Sequence, residues 1–396
     1  MLRKAVTFCH QLLLLARRCA KGPAQRLHVI RDYCQLYRQK GLTMEEYDEF
    51  EFEKRSETFR NDFLGKHEQR YYLQLLNPEK YYILMRNKYL THKTLENTGI
   101  RKAPLYAYYQ PEGVVTPNDE IANDVAGLVR ILRNKGVTDC VVKATENSHG
   151  EGVRLIQDIQ YAGNDATFLD HNGQRASLSA MLKRQPLIFE SVIRQTQQFA
   201  AFNPSSVNTV RFMTALYPDN EVKIIATFIK IGRAGRIVDN AGDGGNVDVA
   251  VNPDTGVLQY AIQYDGWRKV TDIDCHPDTG AALNGVTIEH WDAIKAEVCR
   301  FQQALPYCRV AGWDIAITDE GPLVIEVNDL WDRTGQYFIR RGWRPDIRQC
   351  YQAWEKLVQE GTIPYPYFGR IPQQLSEKAL KRISDYTKLP IKTKHQ

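Results

Sequence analysis

The stretch AGWDIAITDEGPLVIEVND, Ala311 to Asp329, places one acid in each of two aliphatic runs. Asp314 sits in Trp-Asp-Ile-Ala-Ile, and Glu326 sits in Leu-Val-Ile-Glu-Val-Asn. The runs read as two β-strands. A carboxylate among strand aliphatics is costly unless it is paired, hydrogen-bonded or bound to a cation. Asp319-Glu320-Gly321 reads as a three-residue hairpin loop with Gly321 in the left-handed position. Symmetry about Glu320 then sets Asp314 opposite Glu326, and strand alternation puts Asn328 on the face of Glu326. Two carboxylates and an amide oxygen would converge there. That donor set suits Mg²⁺, with room left for phosphates. Without a cation the two carboxylates should repel, and one should hold its proton. The competing reading is a half-buried hairpin whose acids pair with nearby Lys or Arg, and this stretch alone does not separate the two.

Around the hairpin, 396 residues are enough for two to three domains and a sizeable core. Hydrophobic and charged fractions of 43% and 25% are those of a soluble globular protein. The eight cysteines are scattered without a CxxC or a Cys/His cluster, which argues against a zinc site and a disulfide framework. Reduced thiols and a cytoplasmic location are expected. Residues 1–40 hold nine Lys/Arg against one acid, and residues 41–69 hold nine acids against four bases. From Pro364 onward seven Lys/Arg face two acids, so both ends suit an anionic surface. The opening MLRKAVTFCHQLLLLARRCAKG starts like a signal peptide, but His10-Gln11 interrupts its apolar run and Arg17-Arg18 follow without a small-residue cleavage site. It is too short to span a bilayer. It reads as a basic amphipathic helix packed on the protein, with contact to an anionic membrane face as the alternative. No nucleic-acid partner is expected.

Residues 1 to about 80 lack strand-like runs and read as helices broken at Asn77-Pro78. A helix over YYILMRNKYLTHKTLENTG stops at Gly99, and a strand follows Pro104. Further helices are expected over 118–136, 287–305 and 344–361, with a cap and a Gly stop at the ends of the first. Short β-runs fall at Cys140–Lys143, Gly152–Gln157, Leu187–Val192, Val210–Leu216, Val222–Lys230 and Val247–Val251. This order gives an α+β protein with a mainly antiparallel sheet, not a doubly wound parallel one.

DCVVKATENSHGEGVRLI (139–156) runs a strand into Lys143, then a polar loop with Ser148, His149, Gly150 and Gly152, then a second strand. Glycine-rich loops let backbone N–H groups approach phosphate, and a strand-end lysine neutralises it. The Walker pattern GxxxxGK[ST] is absent. The remaining pieces are Lys88 in MRNK, Glu190 in LIFESVI, Arg211 in SSVNTVRFMT, and Asn240 with Gly244-Gly245 in VDNAGDGGNVDV.

Taken in order, Lys88, Lys143 before its loop, Glu190, Asn-Gly-Gly and Asp314…Glu326-x-Asn328 resemble the ATP-grasp superfamily over residues 85–335. NPSSVNTVRFMT, VDNAGDGG and the opening hairpin resemble its sugar-transfer-associated branch, linked to polysaccharide biosynthesis. The twelve-residue Asp-to-Glu spacing resembles its glutamate-adding branch. The resemblance implies two α+β subdomains gripping a nucleotide. Residues 1–80 would be a helical N-terminal region, 81–138 the first part of the module and 139–195 a lid hinged near Glu190. Residues 196–362 would be a C-terminal subdomain with the metal site, and 363–396 a basic tail. It further implies ATP contacts at Lys88, Lys143, Ser148, Gly150, Gly152, Glu190, Val192 and Asn240. Asp314, Glu326 and Asn328 would hold two Mg²⁺, with Mn²⁺ as an alternative. The family's oxyanion-stabilising arginine often stands two residues before the metal aspartate, where this chain has Gly312; Arg211, Lys230 and Arg233 stay open for that role. Gln197 stands where many relatives carry a ribose-binding acid. The implied activity is an ADP-forming carboxylate–amine ligase working through an acyl phosphate. A kinase on the same scaffold, or a non-catalytic membrane-associated module, are the alternatives.

Overall fold

The computed structural model describes residues 2–111, 120–146, 152–182, 185–237, 239, 245–265 and 270–363. Fourteen strands among them build two sheets of seven. The first holds β1 (Leu105–Tyr109), β2 (Ile121–Ala122), β3 (Cys140–Ala144), β4 (Arg154–Ala162), β5 (Asp165–Leu169), β6 (Arg175–Ser177) and β7 (Leu187–Glu190). Their order is β2-β1-β7-β3-β4-β5-β6, antiparallel except for the β1–β2 pair. The second sheet holds β8 (Thr209–Leu216), β9 (Val222–Ile231), β10 (Val247–Val251), β11 (Leu258–Tyr264), β12 (Val270–Asp272), β13 (Val310–Thr318) and β14 (Gly321–Asn328). It is antiparallel throughout, in the order β12-β11-β10-β9-β8-β13-β14.

Helices cover both faces of the second sheet, which is why all nine residues of β13 are buried. On one face the helix Trp291–Ala304 packs Ile294, Val298 and Phe301 against Phe212, Val249 and Trp313. On the other, Tyr72 of the helix Lys66–Leu76 and Tyr351 of Arg344–Gln359 close over Met213, Ile225 and Val310. On the first sheet, Leu128 and Leu132 of the helix Val125–Asn134 pack against Val142 and Phe189. That helix is shorter than expected. Asp124 caps it by accepting from the Gly127 amide at 2.7 Å, and the residues just before it pair with β1 as β2. The helix expected to end at Gly99 is likewise divided. Asn87 takes an extended conformation between Ile83–Arg86 and Lys88–Thr94 and caps the second by accepting from the Leu90 amide.

The N-terminal helices enclose their own core, rich in rings: Tyr33, Tyr47, Phe50, Phe52, Phe59 and Phe63. Within it, the helix Leu2–Cys19 buries Leu12, Leu15 and Ala16, as the packed reading expects. The region is stitched to the β13–β14 hairpin by Asn77, fully buried at the end of the helix Lys66–Leu76. Its amide nitrogen donates to the carbonyls of Val310 and Asp329, each at 2.7 Å, and its oxygen accepts from the Val310 amide at 3.0 Å. Gln336 holds the Leu64 backbone in the same way, through its oxygen at 2.8 Å and its nitrogen at 3.2 Å. Gly342 lies so close to this seam that a Cβ there would sit 2.1 Å from the carbonyl carbon of Asp62. Gly342→Ala should therefore lower stability by about 1–3 kcal/mol, seen as a lower thermal midpoint. An unchanged midpoint would mean that the N-terminal region is not seated against this loop.

Candidate functional site

Asp314 and Glu326 are directly opposite one another in the β13–β14 ladder, but not by the expected loop. Thr318 pairs with Gly321, leaving a two-residue turn of Asp319-Glu320, and Gly321 itself has φ 107°. Ile325 is then an extra residue on β14, a bulge that returns Glu326 to the position facing Asp314. On its other side Asp314 faces Arg211 of β8. The Arg211 guanidinium grips it with two bonds, Nε to Oδ1 at 2.5 Å and Nη2 to Oδ2 at 2.9 Å. Lys230 of β9 places its Nζ 3.1 Å from Oδ2. Burial alone would push the Asp314 carboxyl up, but Arg211 and Lys230 outweigh it and hold the group down at about 2. Of the pair expected to repel, Asp314 stays ionised, because two cations already compensate it. Glu326, half-buried, has no ion-pair partner among the described residues. The amide nitrogen of Asn328 donates to the Gly312 carbonyl at 3.3 Å. Lys230 also stands 4.0 Å from Asp239, which accepts from the amide and hydroxyl of Thr209 at 2.9 and 2.5 Å. Burial pushes the Asp239 carboxyl up, with Lys230 acting against it.

The first sheet carries a second buried carboxylate. Glu190, at the end of β7, is 5% exposed and lies 2.6 Å from Lys143 Nζ of β3. Its other oxygen bonds His92 Nε2. Burial pushes Glu190 up, and Lys143 and His92 together reverse that to about 2. His92 follows Lys88 by four residues on the helix Lys88–Thr94, so the two share a face. That spacing is the signal that could have marked His92 in the sequence. The Lys88 amide donates to the Thr145 carbonyl at 2.9 Å, pinning the helix start to the end of β3. Burial pushes the Lys88 ammonium down, while Glu326 across the gap favours its charge.

A cavity of about 450 Å³ opens between the sheets, and Lys88, Lys143, Lys230, Asp239, Asp314 and Glu326 all line it. Val141, Leu155, Val192, Ile193 and Ile325 supply an apolar wall. The strap after β7 crosses from one sheet to the other: the Ser191 amide donates to the Pro104 carbonyl and the Thr196 amide to that of Ile317, both at 2.9 Å. Arg211 stands behind Asp314 and does not line the cavity, and Gly152 turns with φ 77° outside its lining. Arg233 also lies outside it and is bound bidentately to Asp278. Gln197 lines a separate surface cleft with Glu289 and Arg300. Ser148, Gly150 and Asn240 fall outside the described residues. Trp313 and Trp331 are buried in the core.

Asp314 and Glu190 both have depressed pKa values in the fold, against about 4 in an unfolded chain. The stability they contribute is present above pH about 4 and is lost as pH falls toward about 2. Acid unfolding should shift to higher pH in Arg211→Met, followed by tryptophan fluorescence; coincident acid transitions would mean that Arg211 does not hold Asp314 ionised.

Three solved structures are similar to this chain at low identity. N5-carboxyaminoimidazole ribonucleotide synthetase from Thermotoga maritima is 13% identical, with 70% of this chain and 52% of that one aligned at a TM-score of 0.38. Phosphoribosylamine–glycine ligase from the same organism is 11% identical over 71% and 57%, at 0.41. D-alanine–D-alanine ligase from Bacillus anthracis is 13% identical over 70% and 67%, at 0.35. The chain thus spans a little over half the length of the first two. No curated protein sequence matches it. The family described as sugar-transfer associated ATP-grasp matches residues 67–350, a span that takes in both sheets and every cavity-lining charge named above, and the chain belongs to that family.

Proposed function

We propose that this chain is an ADP-forming carboxylate–amine ligase whose carboxylate substrate is a uronic acid or another glycan-linked acid. The carrying observation is the cavity itself: three lysines on three elements face two opposed carboxylates in a space of about 450 Å³. Pockets of this size suit a nucleotide-sized ligand. Its apolar wall suits a base, and the strap after Glu190 offers backbone groups at the base edge. Lys88 and Lys143 are the phosphate ligands in this reading, with Glu190 and His92 setting the direction of Lys143.

No group of three or more His, Cys, Asp or Glu is gathered for a metal among the described residues. Asp314, Glu326 and Asn328 nonetheless fit Mg²⁺, a hard cation that takes one or two carboxylates and completes its shell with water and phosphate. When bound it would neutralise phosphate charge. Arg211 then positions Asp314, and Lys230, which lines the cavity, is better placed than Arg211 or Arg233 to meet a developing oxyanion. In the proposed sequence a substrate carboxylate oxygen attacks the γ-phosphorus and ADP departs. An amine nitrogen next attacks the acyl carbon, phosphate leaves, and the amine proton passes to solvent. The chain's own contribution is positioning and charge neutralisation, as phosphoryl transfer requires.

ADP release from Mg-ATP, measured over a panel of uronic acids and amines, tests the reading. Dependence on both substrates supports it, and release with the first substrate alone would favour a kinase. Two variants separate site from scaffold. Glu326→Gln should lower turnover by about a hundredfold while leaving the melting midpoint in place. Asp314→Asn strands two buried cations and should cost about 3–5 kcal/mol of stability as well. Full turnover by Glu326→Gln would overturn the metal-site assignment. Lys143→Gln should weaken ATP binding in calorimetry at least about tenfold; unchanged affinity would remove Lys143 from the phosphate site.

A further inference from the structure

The N-terminal helix pair has an outer face that the catalytic reading does not use. Leu12, Leu15 and Ala16 of the helix Leu2–Cys19 point into the aromatic core. The opposite stripe, at helical spacing, reads Val6, His10, Leu13 and Arg17, and all four are exposed. Val6 is 64% exposed, Leu13 52% and Leu14 38%, and Leu27 of the neighbouring helix Pro23–Lys40 is 48% exposed. Four aliphatic side chains of adjacent segments thus face water on a part of the molecule that needs none of them for its core. Arg17, Lys21, Arg31 and Arg38 are exposed on the same pair of segments. The one acid within residues 1–40, Asp32, is turned inward, where Arg60 and the Tyr47 hydroxyl take its oxygens.

We propose that this face binds an anionic lipid surface, lying in the headgroup region with Val6, Leu13, Leu14 and Leu27 in the acyl boundary. Three considerations select that occupant. Exposed aliphatics interleaved with arginine and lysine match an interfacial helix, whose apolar side chains enter the boundary while its cations meet lipid phosphate. A second copy of this chain would bring two strongly basic faces together, and like charges at close quarters oppose association. A nucleic acid would satisfy the cations but leave the leucines in water. No helix among the described residues is long and apolar enough to cross a membrane, so the contact is peripheral. None of the residues that line the cavity between the sheets lies before Lys88.

The test is co-flotation of the full chain with phosphatidylserine-containing vesicles and with pure phosphatidylcholine vesicles. Binding should require the anionic lipid and fall as salt rises from about 0.1 M to about 1 M. Leu13→Glu, and separately Arg17→Glu with Lys21→Glu, should each cut the partition coefficient at least about tenfold. These side chains are exposed, so helix content by circular dichroism should match the parent. Equal binding to neutral vesicles, no binding, or unaltered binding by both variants would overturn the proposal. So would a concentration-dependent dimer abolished by Leu13→Glu, or binding of duplex DNA with the affinity found for vesicles.

Discussion

The ion triad of Asp314, Arg211 and Lys230 is the constraint around which the second sheet is arranged. Three side chains on the adjacent strands β13, β8 and β9 meet with almost no solvent between them, so none can be removed without stranding charge. Replacing all three with well-packed apolar groups would often be neutral or stabilising. Stability alone therefore does not account for the arrangement. What it secures is a carboxylate that stays anionic inside a sheet whether or not a cation is bound. It also separates the two acids of the hairpin: both line the cavity, but Asp314 is gripped by Arg211 and Lys230 while Glu326 has no ion-pair partner among the described residues.

The first sheet repeats the device with different chemistry. Glu190 is held by Lys143 from the next strand and by His92 from the helix that also presents Lys88. One buried carboxylate in each sheet thus organises the cations on its own side of the gap. The two sides are joined by short pieces of backbone: the strap after β7, and the Lys88 amide docked on Thr145. Asn77 then fastens the helical N-terminal region to the far end of the β13–β14 hairpin, and Gln336 fastens it to the segment that follows, so that three parts of the chain share one seam.

Much of this was legible because burial on both faces writes strands as plain apolar runs. β8, β9, β10 and β13 fall close to their expected bounds for that reason, and acids within such runs announce themselves. Strands β5, β6, β11 and β12 were not foreseen. They are short or half-exposed, and their sequences alternate too weakly to stand out from loops. Partnerships between charges were also invisible. The pairing of Lys143 with Glu190, and of Asp314 with both Arg211 and Lys230, depends on which strands become neighbours. The order β9-β8-β13 follows from a crossover and not from any local pattern. His92 is an intermediate case: its place one turn after Lys88 was available, but its partner lies 98 residues away.

The bulge at Ile325 has a bearing on how other chains should be lined up against this one. In a bulge-free hairpin with the same tight turn, the residue opposite Asp314 would be position 325, one step earlier. A chain with eleven steps between its acids and no bulge, and this chain with twelve and a bulge, therefore present the same facing pair. Counting residues between the acids would score the two as different, and a gap inserted to equalise the counts would be meaningless in space. Conversely, a chain with twelve steps, a two-residue turn and no bulge would match by count while turning its second acid to the opposite side of the sheet. Ladder partners, and not spacing, are the quantity to align.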